Sequence, residues 1–218
     1  MNIPLPTLTQ SLDKLPDKDS AIIVYCGIGH RGGMALMTLR LLGYTNVKSI
    51  SGGFTNWKAA KLPVAQGTPS AATATGAKPP AYDPDLFAVL DKFITSLPAD
   101  YYGAPPAVAL KSLGADPKPM LIDVREPKEL TANGYIDGMI NIPIRKLFDN
   151  LEKLPSQMDA PIIVYCAIGH RGSMAMMTLR LLGYTNVKSI SGGFNNWVAN
   201  SLPIVKPAPA TAVATASS

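Results

Sequence analysis

The chain contains one stretch twice. Residues 22–57 and 162–197 align without a gap at a spacing of 140, and only four of those 36 positions differ: Gly27/Ala167, Gly33/Ser173, Leu36/Met176 and Thr55/Asn195. After a one-residue shift the likeness extends upstream, where Asn2-Ile3-Pro4 matches Asn141-Ile142-Pro143 and Leu12 to Pro16 matches Leu151 to Pro155. Solenoid units repeat every 20–50 residues or so, and this period is far longer, which marks a duplicated domain. The duplication is lopsided. Roughly residues 100–140 precede the second copy and have no counterpart before the first, so Met1 falls where an internal residue of the unit is expected.

Two stretches rich in Ala, Thr, Gly and Pro, residues 66–81 and 206–218, punctuate the chain. Such segments bury too little to repay their ordering, and they predict a linker and a disordered tail. Between them Asp83-Pro84 reads as a helix N-cap followed by Pro at the first helical position. Leu86, Phe87, Leu90, Phe93, Ile94 and Leu97 then recur at helical spacing up to Pro98. The expected division is a truncated half-domain over 1–65, the linker over 66–81, a helical arm over 82–98, a complete domain over 99–205 and the tail over 206–218.

Within the second copy, strands and helices alternate. Met120 to Val124 is a short apolar strand, Ile144 to Leu154 is helix-like, and Pro161 to Tyr165 is a buried strand rich in β-branched residues. A helix follows from Gly172 to Leu182, then a strand from Val187 to Ile190. Strands alternating with helices predict an α/β domain on a parallel sheet.

Several function classes drop out. No run of about 18 apolar residues is present, so no membrane span is expected. The first residues lack a basic start and an apolar core, which predicts a cytoplasmic chain as written, or an exported one if a signal lies further upstream. The net charge is +5, but Lys and Arg are scattered with no basic run, which argues against nucleic acid. Two cysteines in 218 residues do not make a disulfide scaffold.

The candidate chemistry lies on a strand-to-helix turn. Cys166 follows the strand directly, and Ala167, Ile168, Gly169, His170 and Arg171 lead into the helix at Gly172. In open parallel sheets ligands bind at the carboxyl ends of strands. A helix N-terminus adds unpaired N–H groups and a positive dipole end, which stabilise an anion such as a thiolate, a persulfide or an oxyanion. Gly169 lets successive amides turn inward, Arg171 adds a permanent charge, and His170 shapes the rim and gains charge at low pH. A persulfide on Cys166 would divide one transfer into two easier steps. The first copy repeats the loop as Cys26, Gly27, Ile28, Gly29, His30 and Arg31. A cysteine behind an apolar strand is more often a small core residue, but here Gly, His and Arg follow it in both copies. Zinc would need Cys26, His30, Cys166 and His170 to meet from two separate loops, so no metal is expected.

These motifs resemble the rhodanese family. The resemblance covers residues 100–205 fully and 2–65 in part. It rests on Leu121-Ile122-Asp123-Val124-Arg125-Glu126, on Gly134 to Pro143, on Val164-Tyr165-Cys166 to Arg171, and on Ser191-Gly192-Gly193-Phe194-Asn195-Asn196-Trp197. It implies a three-layer α/β fold on a five-stranded parallel sheet, with a partial repeat of the same fold. It also implies a sulfurtransferase without a cofactor: Cys166 accepts sulfane sulfur from a small anionic donor such as thiosulfate and passes it to a thiol or cyanide, while the loop amides cradle the persulfide. Asp123 and Arg125 brace the fold and the loop in this pattern. Phosphatases of the same fold have five residues between Cys and Arg, and here there are four, which favours sulfur over phosphate. Gly134-Tyr135-Ile136-Asp137-Gly138 departs from the usual Gly-His-Ile-Pro-Gly. The larger departure is the first copy, which lacks an Asp-Val-Arg strand. Its sheet is expected to expose an edge and apolar surface, and its Cys26 loop to be inactive unless residues 100–140 pair with it. That exchange predicts two interconverting forms or a domain-swapped dimer. A non-catalytic persulfide carrier or protein-interaction module is the rival reading.

Overall fold

The computed structural model describes residues 1–69, 71 and 73–206. The expected tail from residue 207 onward, and linker positions 70 and 72, lie outside them. The first copy folds as β1 (Ile22–Val24), α1 (His30–Leu41), β2 (Val47–Ser49) and α2 (Gly53–Ala59). Helix α3 (Pro84–Thr95) follows the linker. The second copy then runs β3 (Gly103–Ala104), α4 (Pro106–Leu113), β4 (Met120–Asp123), α5 (Pro127–Asn133), β5 (Met139–Asn141), β6 (Ile162–Tyr165), α6 (His170–Leu181), β7 (Val187–Ile190) and α7 (Gly193–Ala199).

Strands of the second copy form one parallel sheet in the order β3-β7-β6-β4-β5. All four residues of β6 are buried, which is why Ile162-Ile163-Val164-Tyr165 reads as an unbroken apolar run rather than an alternating one. The first copy has only the pair β1-β2, in the same register: Ile22 faces Val47 as Ile162 faces Val187. The partial repeat therefore stops two strands short on one side of β1. The cost is visible in single residues. Ile23 and Tyr25 are 65% and 61% exposed, whereas their sequence equivalents Ile163 and Tyr165 are 4% and 0% exposed.

Local expectations fare unevenly. Helix α3 matches, with Asp83 Oδ1 accepting from Leu86 N at 2.9 Å. Helix α6 starts two residues before Gly172, because Gly169 takes φ 86° and serves as its N-cap. The helix expected over 144–154 is two short 3-10 segments, Ile144–Lys146 and Phe148–Lys153. Asn150, at φ −136°, breaks the second one while its side chain donates to Lys146 O at 2.7 Å, and Leu147 and Leu154 are buried on either side.

One core runs through both copies. Met34 and Leu39 of α1, Leu90 and Ile94 of α3, and Met176, Met177 and Leu179 of α6 belong to a single buried cluster. Helices α1 and α6 cross at Gly33 and Ser173, one of the four divergent pairs. A Cβ on Gly33 would collide with Ser173 Oγ and stand 2.8 Å from His170 O. Two copies of a serine cannot share that crossing, so the divergence lets near-identical helices pack together. Helix α3 closes the other side of the first copy: Thr9 Oγ1 donates to Asp91 Oδ1 at 2.7 Å above the buried Leu5, Leu8 and Leu12.

Candidate active site

Cys166 sits at the carboxyl end of β6, the central strand of the sheet. Its turn is held from below by α7, whose first N–H groups have no partner within the helix. Phe194 N donates to Cys166 O at 2.7 Å and Asn195 N donates to Ala167 O at 2.8 Å. This approach requires glycine. Gly193 has φ 63°, and a Cβ there would run into Cys166 O and lie 2.7 Å from Gly169 N. Gly172, in the first turn of α6, brings the helix against β7, where a Cβ would stand 2.8 Å from Ser189 Oγ. The loop is thus clamped between two helix N-termini.

The first copy repeats the clamp with Phe54 N on Cys26 O at 2.8 Å and Thr55 N on Gly27 O at 2.9 Å. There the amides of Gly29 and Gly32 point at Cys26 Sγ from 3.2 and 3.4 Å. A sulfur facing several N–H groups is stabilised as an anion. Cys26 is partly exposed, whereas Cys166 is fully buried.

The cations differ between copies. Arg171 forms a two-pronged ion pair with Glu129 of α5, Nη1 to Oε2 and Nη2 to Oε1, both 2.7 Å. Glu129 Oε2 also accepts from Glu126 N at 3.0 Å. The bonds from Arg171 hold the Glu129 carboxyl below the usual carboxylate range, and the same pairing raises the Arg171 value further, with Cys166 as an additional negative influence. Arg31 has no such partner: among the described residues it makes no ion pair, and its guanidinium lies 5.2 Å from the Tyr101 ring centre. Glu129 was absent from the sequence reading. Glu126-Pro127-Lys128-Glu129 does carry the signal of a helix start with Glu at its third position, but no local pattern tells that this carboxylate faces Arg171.

Asp123 and Arg125 lie beside the loop rather than in it. Both are buried, with Arg125 Nη2 at 2.6 Å from Asp123 Oδ2 and donating also to Gly134 O at 2.8 Å. The guanidinium rests 4.1 Å from the centre of the Phe194 ring, so it ties β4 and the turn after α5 to the helix that holds Cys166. Tyr165, one residue before the cysteine, accepts Ile136 N at 3.2 Å through its hydroxyl, and burial pushes its phenol well up.

The two histidines turn away from the loops. His30 Nε2 meets Tyr101 O at 2.9 Å as a donor from the neutral ring. The His170 ring packs against Gly33 of α1, and its Nε2 is buried without a partner. Burial lowers both values below 6.5, aided at His170 by Arg171, so neutral imidazole is the form at neutral pH. His170 therefore adds no charge to the rim under those conditions.

A Rhodanese-like domain model matches residues 1–60 and 106–200. The chain belongs to this family. Among curated proteins, this rhodanese-like chain is 39% identical over 80 residues to the uncharacterized protein YqhL of Bacillus subtilis, an alignment covering 37% of this chain and 61% of that protein. It is 32% identical over 101 residues to the thiosulfate:glutathione sulfurtransferase of Homo sapiens, covering 41% of this chain and 87% of that one. Among solved structures, the polysulfide-sulfur transferase homodimer of Wolinella succinogenes shares 31% identity over 50% of this chain and 81% of its own, with a TM-score of 0.45. Every such alignment spans about half of this chain or less, as expected when one copy of a duplicated unit is matched.

Proposed function

We propose that this rhodanese-like protein is a sulfurtransferase that carries sulfane sulfur as a persulfide on Cys166. The Cys166 thiolate attacks the outer sulfur of thiosulfate. A Cys–S bond forms, the S–S bond of thiosulfate breaks, and sulfite leaves with the electron pair. A thiophilic acceptor, cyanide or a thiol, then attacks the outer sulfur and the cysteine departs as thiolate, regenerated for the next cycle. The observation that carries the reading is the clamped loop at the end of β6, which fixes Cys166 just before the N-terminus of α6, in a turn whose counterpart in the first copy aims the amides of Gly29 and Gly32 at Cys26 Sγ. Such preorganised donors stabilise the negative charge that builds on sulfur during both steps. Arg171, oriented by Glu129, adds positive charge beside the loop.

The carrier reading draws on one observation, the complete burial of Cys166, which requires the loop to yield before a donor reaches the sulfur. Thiosulfate:cyanide transfer separates the two. The expected result is multiple turnover by the intact chain, retained in Cys26→Ser and lost in Cys166→Ser. Equal losses in both variants would assign a working site to each copy. A persulfide on Cys166 seen by mass without turnover would replace the enzyme by the carrier. Among the described residues no helix is long and apolar enough to cross a membrane.

A further inference from the structure

A buried hydroxyl without a partner stands against the Cys166 loop. Ser189 of β7 is fully buried, and its Oγ meets no hydrogen-bond partner among the described residues. Strand β7 lies beside β6, with Ser189 opposite Val164. Side chains alternate along a strand, so Ser189 shares with Val187 the face of the sheet that α6 covers, while Ile190 joins the core on the other face. Cys166, two residues beyond Val164, belongs to the α6 side as well. Gly172 borders both residues: a Cβ there would stand 2.8 Å from Ser189 Oγ and 3.5 Å from Cys166 N.

The first copy builds the same arrangement. Ser49 Oγ of β2 is buried without a partner, and a Cβ on Gly32 would stand 2.8 Å from it and 3.8 Å from Cys26 N. Gly32 N also points at Cys26 Sγ from 3.4 Å. One glycine thus has the sulfur at its amide and the serine hydroxyl against its α-carbon.

Packing alone does not account for serine here. The close approach of Gly172 calls for a small residue on β7, and alanine satisfies that need without burying an unbonded hydroxyl, which destabilises a fold. A partner appears once the cysteine ionises. Cys166 has no exposure to water, so its thiolate depends on donors fixed in the protein. We propose that the Ser189 hydroxyl turns about its Cα–Cβ bond to donate a hydrogen bond to Cys166 Sγ in the thiolate form. The inference rests on Cys166 as the nucleophile of sulfur transfer. Both steps pass through this thiolate, which attacks the donor in the first and leaves in the second. A hydrogen bond to it makes the ionised cysteine available at lower pH and improves it as a leaving group. Ser49 stands in the same relation to Cys26.

The test is an ultraviolet titration of the Cys166 thiolate in the full chain carrying Cys26→Ser, so that one thiol is read, with the Cys26→Ser/Cys166→Ser chain as the blank. Adding Ser189→Ala is expected to raise the midpoint by about one to two pH units, the worth of a hydrogen bond to a charged group. The melting temperature below both midpoints should be unchanged or higher, because only an unbonded hydroxyl is lost. Ser49→Ala in the same chain should leave the Cys166 midpoint where it was. An unchanged midpoint in Ser189→Ala would overturn the proposal, as would a chain that forms no thiolate at any pH. So would an equal shift in Ser49→Ala, or a melting temperature lowered by Ser189→Ala in the thiol form, since the hydroxyl would then be a structural group. The titration needs no sulfur donor, so a lack of turnover would count against the persulfide reading and leave this result readable.

Discussion

Replacing Gly193 by Ala tests whether the clamp beneath Cys166 sets the chemistry. A Cβ at this position would lie 2.7 Å from Gly169 N and 2.8 Å from Ala167 C, and would overlap Cys166 O. All three are backbone atoms of the reactive loop, so no side-chain rotation relieves the conflict. Even a separation of 3.0 Å requires 0.3 Å from Gly169 N (3.0 − 2.7) and more than that from Cys166 O, so the loop is displaced by several tenths of an ångström. A left-handed alanine costs about 1–2 kcal/mol. Weakening the bonds to Cys166 O and Ala167 O adds about 1 kcal/mol each, so the loss is about 3–4 kcal/mol, read by urea unfolding. A misplacement approaching 1 Å costs about 100-fold in rate, and the same drop is expected in kcat for thiosulfate:cyanide transfer. The first copy supplies the control. Gly53→Ala meets Gly29 N at 2.7 Å and Gly27 C at 2.9 Å with φ 60°, so it strains the Cys26 loop alike while leaving Cys166 untouched. Its kcat should stay within twofold of the parent. Retained activity in folded Gly193→Ala, or equal losses in both variants, would refute the reasoning.

Three further outcomes are expected. Asp123→Asn leaves a buried guanidinium without its counter-charge and should destabilise by about 3–5 kcal/mol, seen as a lower urea midpoint with unchanged slope. Glu129→Gln removes a pair whose members are about a quarter exposed, costing about 1 kcal/mol. Because the Glu129 carboxyl is lowered from 4.5 in the fold, its contribution is complete above that pH and is lost as pH falls through the lowered value, so the variant's melting temperature should converge on the parent's in acid. The histidines act in a different window. Both are lowered from 6.5, so below that pH the unfolded chain takes up protons first and stability declines, by up to about 1.4 kcal/mol per pH unit for each ring. His170→Gln should flatten the decline between pH 6.5 and 5, and an unchanged slope would exclude His170 as its source.

What the sequence made legible was whatever depends on neighbours along the chain. The duplication, the Asp83 cap of α3, the buried run of β6 and the Cys166 loop all rest on local pattern. The five-stranded sheet and the family followed from motifs in a fixed order. Contacts between elements were not legible. Glu129 is 42 residues from Arg171, and its pairing depends on how α5 lies across the loop. Helix α6 began early because Gly169 is a cap as well as a loop residue, and the single helix expected over 144–154 gave way to the kink at Asn150. The turning of both histidines away from the rim depends on the α1–α6 crossing and on Tyr101, neither of which has a local signature.

Of the four divergent pairs, Gly33/Ser173 gains its meaning from that crossing. Where residues are identical, burial in the two copies is set by what lies across from them: Tyr25 and Tyr165 have the same neighbours in sequence, yet one is open to water and the other holds Ile136 N. Gly33 and Ser173 differ because they meet each other. A Gly33→Ser exchange would place Ser173 Oγ and His170 backbone against a new Cβ, whereas Ser173→Gly removes a small hydroxymethyl group whose Oγ donates to His170 O at 2.8 Å. The asymmetry follows from packing, since the crossing has room for one side chain and the second copy already fills it. The first copy is therefore held in place by its divergence at this crossing as much as by its likeness.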